Sequence, residues 1–394
     1  MDEQITTLAS LTIDGKGSYG IGASAVSFSK DLYTYLRITD IKDDGTLNLQ
    51  DLKSVDDEKA SEYLLKPNDI VFARTGASTG RNYFYDGTDG EFVYAGFLIK
   101  FSIDEKKVNP KYIKYFCQSK QYKDWINSFN TGSTRGNINA QTLGKMPIPL
   151  IERKTQDALV CILSSIDEKI KKNNEINNNL EQQAQAIFSN EFLTLETLPD
   201  GWKQASLIDI ADYLNGLAMQ KYRPTAGETG IPVLKIKELR QGCCDDNSEL
   251  CSPNIKSEYI IHDGDVIFSW SGSLLVDFWC SGICGLNQHL FKVTSNKYDK
   301  WFYYAWTKHY LDRFIAVAAD KATTMGHIKR DELSKAEVLI PNEADYKRIG
   351  ALLQPIYDLI IENRIENKKL TETKDTLLPK LMSGEIDISE VDYE

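Results

Sequence analysis

Between residues 152 and 191 the apolar positions recur in alternating steps of four and three. Leu159, Leu163, Ile166 and Ile170 are followed by Leu180, Ala184 and Ile187. A 3.5-residue period belongs to a coiled coil rather than to a lone amphipathic helix. Asn173 and Asn177 fill the two seam positions between. Adding 190 to each number gives a second series over residues 343–381: Ile349, Leu353, Ile356, Ile360, Asn363, Asn367, Leu370, Lys374 and Leu377. The chain therefore carries an internal repeat. Two such helices pairing antiparallel would set Asn173 against Asn367 and Asn177 against Asn363, and buried Asn at seam positions fixes register. About 40 residues at 1.5 Å each predicts helices of roughly 55–60 Å. Pro355, standing where the first copy has Ser165, predicts a kink or short break.

The segments between the helices alternate like short strands with loops. Residues 33–41 read as a half-buried strand, 66–73 as a turn feeding a strand, and 92–101 as a longer strand. A flexible polar loop is expected at 74–81, a helix at 111–125 after Pro110, a polar loop at 130–139, and a Pro-bearing extended piece at 146–151. The second half repeats this order. Residues 232–239 answer the strand around Leu36, 261–268 answer 66–73, and 299–314 answer the helix after Pro110. Gly272 stands opposite Gly76, Gly326 opposite Gly136 and Ile328 opposite Ile138. The expected fold is α+β: two similar mixed α/β domains separated by two long helices, which pair as an antiparallel coiled coil with pseudo-twofold character. The boundaries fall at 1–151, 152–197, 198–341 and 342–394.

Composition narrows the function. No apolar run reaches the roughly 18 residues of a membrane span, and the opening MDEQITTLAS has no basic or apolar leader region, so a cytoplasmic protein away from membranes is expected. Seven cysteines, an odd number, fit reduced thiols better than a disulfide framework. The net charge of −11 is unevenly spread. Residues 152–200 hold five basic against nine acidic side chains and 342–394 hold seven against twelve, while 1–151 and 201–341 each stand at −1. Acidity thus belongs mainly to the helices, which leaves room for a basic face on either globular segment.

Catalytic signatures are missing. There is no phosphate-binding G-x-x-x-x-G-K-[ST], no G-x-G-x-x-G after a strand, no Pro-Pro of an amino-methylating tetrad, no G-x-S-x-G and no H-E-x-x-H. Cys243, Cys244, Cys251, Cys280 and Cys284, with His262 and His289, lack the paired C-x₂-C spacing of zinc sites and read as small apolar fillers. No metal is assigned.

The polar loops carry the better signal. Arg74, Thr75, Ser78, Thr79 and Arg81 crowd one loop, and Ser133, Thr134, Arg135 and Asn137 another. Trp270, Ser271 and Ser273, then Lys321, Thr323, Thr324, His327 and Lys329, occupy the matching places of the second half, with Asn287, Gln288 and His289 nearby. Tyr19, Arg37, Lys235 and Lys237 complete the candidates. Arg and Lys suit guanine edges and phosphates, Asn and Gln suit adenine, and hydroxyls reach either.

Several phrases resemble the specificity subunit of type I restriction–modification enzymes, and the likeness covers essentially the whole chain. They are Leu198-Pro-Asp-Gly-Trp202, Tyr19-Gly-Ile with Ala23-Ser-Ala-Val26, and Tyr35-Leu-Arg-Ile-Thr-Asp-Ile41. Gly132-Ser-Thr-Arg-Gly-Asn-Ile-Asn139 and Leu377-Leu-Pro-Lys-Leu-Met-Ser-Gly-Glu-Ile386 complete the set. The first half departs from the pattern in lacking a Leu-Pro-x-Gly-Trp opening. The resemblance implies a non-catalytic subunit with two target-recognition domains, each reading one half of a split, asymmetric double-stranded DNA target. Its helices would hold the halves apart and dock two methyltransferase subunits, with nuclease–translocase subunits joining through them. S-adenosyl-methionine, ATP and magnesium would reside on those partners and no cofactor on this chain. The alternatives are a specificity subunit of another modification or phage-defence system, and a coiled-coil adaptor that binds proteins.

Overall fold

The computed structural model describes residues 4–49, 51–129, 137–320, 328 and 330–388. The chain forms two compact units, one from Met1–Asp167 with Glu372–Glu394 and one from Glu168–Thr371. Each contains a globular body and a portion of both long helices.

The first unit holds three sheets. Gln4–Thr7 pairs antiparallel with Pro147–Leu150. A four-stranded sheet runs in the order Ser18–Tyr19, Leu98–Ser102, Asp69–Ala73, Asn82–Tyr85, antiparallel throughout. The other runs Ala25–Ser27, Lys53–Val55, Tyr33–Leu36, Phe92–Tyr94, its last pair parallel. The second unit repeats the plan. Lys203–Ser206 pairs with Glu337–Ile340, and Asp212–Asn215, Leu290–Thr294, Val266–Ser269 and Leu275–Phe278 form the antiparallel sheet. Leu250–Cys251, Ile231–Leu234, Cys284–Leu286 and Ile260–Ile261 form the mixed one, whose parallel pair is flanked by Ile260–Ile261 as an added edge strand. The duplication inferred from the seam therefore extends to strand order.

Several expected elements are divided. The strand expected at 92–101 is two, because the chain turns at Gly96, whose N–H donates to the Ile21 carbonyl at 2.7 Å, and passes from the mixed sheet to the antiparallel one. The strand at 33–41 ends at Leu36, where the Asp40 carboxylate accepts the Arg37 N–H at 2.8 Å and closes a turn. The helix after Pro110 is Pro110–Phe116 and Lys120–Asn127; the Ser119 hydroxyl caps the second by accepting from the Tyr122 N–H. Lys300–His309 and Leu311–Asp320 divide likewise. Of 232–239, Ile231–Leu234 is strand and Ile236–Gln241 is helix. Residues 74–81 form an ordered turn around the 3₁₀ helix Gly76–Ser78, where the sequence suggested a flexible loop.

The long helices follow the seam. The first is Arg153–Phe188, 36 residues ending in a π-helical turn at Ser189–Leu193, and the second Glu343–Met382, 40 residues. The latter runs through Pro355 without the expected break. Pro355 and Ala351, whose carbonyl loses its helical donor there, are both exposed, so water can serve that carbonyl while the buried seam holds the turn. In the second unit the Asn363 amide donates to Asn177 Oδ1 at 2.8 Å, and the Asn173 amide to Asn367 Oδ1 at 2.8 Å. Both pairs are those the antiparallel register requires. In the first unit Leu159 and Leu163 share a core with Leu378 and Leu381. Seam residue Lys374 reaches Asp167 at 2.6 Å, and Lys114 reaches the same carboxylate at 2.9 Å. Burial pushes the Asp167 carboxyl up, but the two ammonium groups outweigh it and hold the group below its ordinary value.

The Leu198-Pro-Asp-Gly-Trp202 phrase also has a structural task. Trp202 is buried against Phe192 at 5.6 Å between ring centres, and its Nε1 donates to Asp345 at the start of the second long helix. It belongs to an aromatic core that includes Phe188, Phe302 and Trp306.

Candidate nucleic-acid interface

In the first unit the antiparallel sheet delivers its strand ends to one place. Arg74 follows the strand Asp69–Ala73, and its backbone is fixed on both sides: its N–H donates to the Phe97 carbonyl and its carbonyl accepts from the Ile138 N–H, each at 3.0 Å. Thr75 bridges Asn137. The guanidinium lies over the Tyr19 ring, 4.9 Å from its centre, and the Tyr19 hydroxyl accepts from the Ala140 N–H at 3.1 Å. Three segments distant in sequence thus bring together Tyr19, Arg74, Thr75 and Asn137. Phe97, which sequence reasoning missed, joins them at 61% exposed.

The other candidates of this unit have structural partners. Arg81 forks onto Asp43 at 2.7 and 3.1 Å. Thr79 donates its hydroxyl to the Gly76 carbonyl, and Ser78 is buried beneath. Arg37 is committed to Asp40, at 2.6 and 3.0 Å, and to the Asp51 carbonyl. Ser133, Thr134 and Arg135 lie outside the described residues.

The second unit builds the same bracket with different side chains. Trp270 follows its strand as Arg74 does, and its carbonyl accepts from the Ile328 N–H at 3.1 Å. Its indole N–H donates to Asn215 Oδ1 at 3.0 Å. Asn215 occupies the place of Tyr19: Tyr19 pairs with Ile99 across the sheet and Asn215 with Phe291. Adding to Tyr19 the 196 residues that separate Gly76 from Gly272 gives Asn215 directly. The Trp270 ring packs on Phe291 at 5.7 Å and on His289 at 6.2 Å. His289 Nδ1 meets the Ser271 hydroxyl at 3.2 Å, and Gln288 Nε2 lies 3.3 Å from His289 Nε2. Asn287 is 3% exposed and its Oδ1 accepts the His289 N–H, so it shapes the turn from within. An open groove of about 740 Å³ runs beside Trp270, lined also by Asp212, Asn215, Phe291, Ile328 and Arg330.

Lys235 and Lys237 are paired with Glu249 at 2.6 Å and Asp245 at 2.9 Å, and Ser273 meets Arg240 at 3.5 Å. Lys321, Thr323, Thr324, His327 and Lys329 lie outside the described residues. Cys244 and Cys284 approach to 3.5 Å between sulfurs, while Cys251 and Cys280 are buried separately. Among the described residues no group of three or more His, Cys, Asp or Glu is placed to hold a metal ion.

Two like α/β units, each ending in the same backbone bracket, filled by Arg74, Tyr19 and Asn137 in one and by Trp270, Asn215 and His289 in the other, and both seated on paired helices, define a duplicated recognition protein. The model of the type I restriction modification DNA specificity domain matches the chain twice, at residues 29–182 and 199–372. The chain belongs to that family, and its role is DNA specificity rather than catalysis. It is 24% identical over 317 residues to the type I restriction enzyme MjaIX specificity subunit of Methanocaldococcus jannaschii, covering 73% of this chain and 72% of that one. It is 25% identical over 404 residues to the EcoKI specificity subunit of Escherichia coli, covering 92% and 84%. The crystal structure of the type I restriction–modification S subunit from M. genitalium shares the fold, with a TM-score of 0.56 at 16% identity over 96% of both chains.

Proposed function

We propose that the chain is the sequence-reading subunit of a type I complex in the cytoplasm, recognising a split, asymmetric double-stranded DNA target with one half taken by each unit. The observation that carries this is the shared bracket with unlike contents. One backbone arrangement presents Arg74 on Tyr19 in one unit and Trp270 on Asn215 in the other. Identical contents would read two copies of one half-site; unlike contents read two different ones.

Tyr19, Arg74, Thr75 and Asn137 in the first unit, and Trp270, Gln288, His289 and Asn215 in the second, are the side chains assigned to DNA. The acidic long helices suit protein partners rather than phosphates. They dock two methyltransferase subunits, through which nuclease–translocase subunits join; S-adenosyl-methionine, ATP and magnesium are bound by those partners. No helix among the described residues is long and apolar enough to cross a membrane.

Methylation mapping of the host genome tests the function directly. A split adenine-methylated motif that vanishes when this chain is deleted is the expected result. An unsplit motif, or an unchanged methylation pattern, refutes it.

A further inference from the structure

We infer that Arg74 reads a guanine in the half-site taken by the first unit, and that Trp270 removes guanine readout from the matching place in the second. The inference rests on the DNA-reading function proposed above and names one residue and one base within it.

Several arginines are committed to carboxylates. Arg37, Arg81, Arg153, Arg348 and Arg364 each lie within 2.6–2.8 Å of a carboxylate. Arg74 has no carboxylate partner among the described residues. Its guanidinium carbon lies 4.9 Å from the centre of the Tyr19 ring, and its Nε is buried with no hydrogen-bond partner among the described residues, a state that folded proteins rarely leave unexplained. Stacking on an aromatic face orients a guanidinium while leaving its in-plane donors unspent. Everything beneath it is fixed: the Arg74 backbone by Phe97 and Ile138, the Tyr19 hydroxyl by Ala140. A planar donor fork held in this way matches the paired O6 and N7 acceptors of guanine in the major groove.

A phosphate could also accept from Arg74, and the comparison of the two units decides between them. Phosphate contacts carry no sequence information, so a duplicated DNA binder would keep them in both copies. A base-reading residue must differ between the halves of an asymmetric target. The position does differ, and Trp270 carries neither charge nor a spare donor, since its indole N–H is held by Asn215.

The test is long-read methylation mapping of the complete complex, expressed in a host without methylation of its own, with Arg74→Gln and Arg74→Lys. In the unaltered protein one half of the motif contains a guanine. Both variants should still methylate, with preference for that guanine falling about tenfold or more while the other half is read unchanged. Arg74→Lys is the decisive variant, because it keeps the charge and loses the fork. Uniformly weaker methylation with every base still required would make Arg74 a phosphate contact and overturn the inference. So would a first-unit half without guanine. Loss of all methylation in both variants would overturn it too, because a single base reader forfeits discrimination before binding. If the unaltered complex gave no split motif, the proposed function itself would fall, and not merely this residue's part in it.

Discussion

Replacing Asn177 by alanine tests what the seam asparagines contribute. Asn177 accepts from the Asn363 amide at 2.8 Å and donates to the Ile360 carbonyl at 3.4 Å; Asn177 and Asn363 are 5% and 8% exposed. The substitution removes one good hydrogen bond, one weak one, and leaves the Asn363 amide buried without an acceptor. An unsatisfied buried amide costs about 1–3 kcal/mol, so a loss near 2 kcal/mol is expected for Asn177→Ala and a similar one for Asn363→Ala. Replacing both by leucine removes the requirement instead of violating it, and burying two leucines offsets the lost bond. The double leucine variant should therefore match or exceed the unaltered protein. Five of the six tryptophans, Trp202, Trp270, Trp279, Trp301 and Trp306, lie in Glu168–Thr371, so urea unfolding followed by intrinsic fluorescence reports mainly the unit that contains this pair. With an m-value of about 2 kcal/mol/M, each single alanine should lower the midpoint by about 1 M. Single variants that cost under about 0.5 kcal/mol, or a double leucine variant as unstable as both singles combined, would refute the pairing as a buried, mutually dependent contact.

Gly216→Ala should destabilise the second unit by about 2–3 kcal/mol, because an added Cβ would lie 2.3 Å from the Asn287 carbonyl oxygen and 2.4 Å from that of Leu286; a melting temperature within a degree of the original would contradict that approach. Asp167→Asn should cost about 1–3 kcal/mol by stranding Lys114 and Lys374. The depressed folded value of Asp167 places its stabilisation above the ordinary carboxylate range, to be lost as pH falls through the folded value; the variant should show a flatter acid limb in pH-dependent unfolding. His309, packed against Phe188 and Trp306, is pushed below its ordinary value by burial. The unfolded chain therefore binds its proton first, and stability should fall as pH drops below about 6.5, a slope that His309→Gln should reduce.

The sequence made the seam legible because a coiled-coil period leaves a residue-by-residue trace, and the duplication confirmed it at a fixed offset. Register followed from Asn173 and Asn177 alone. Short strands were harder. The division of 92–102 between two sheets leaves no trace in periodicity, since Phe92–Tyr94 and Leu98–Ser102 are both largely buried and read as one apolar run. Candidate DNA contacts were chosen by residue type, which cannot distinguish an arginine spent on a nearby carboxylate from one held over a ring. Arg37 and Arg81 have that fate because Asp40 and Asp43 lie in neighbouring turns; Arg74 escapes it. Phe97 and Asn215 were missed because strand ends meet through sheet pairing, which composition does not record.

The first unit has a discontinuous core. Leu8 and Leu11, from the start of the chain, share it with Leu378, Leu381, Met382 and Ile388 near its end. The second unit, Glu168–Thr371, is one unbroken stretch. During synthesis the usual order, in which the domain made first folds first, is therefore inverted. The second unit has all its residues while the first still lacks part of its interior, which is completed only by residues 372–388. A stop codon after residue 371 would spare the later-made unit and leave the earlier one open.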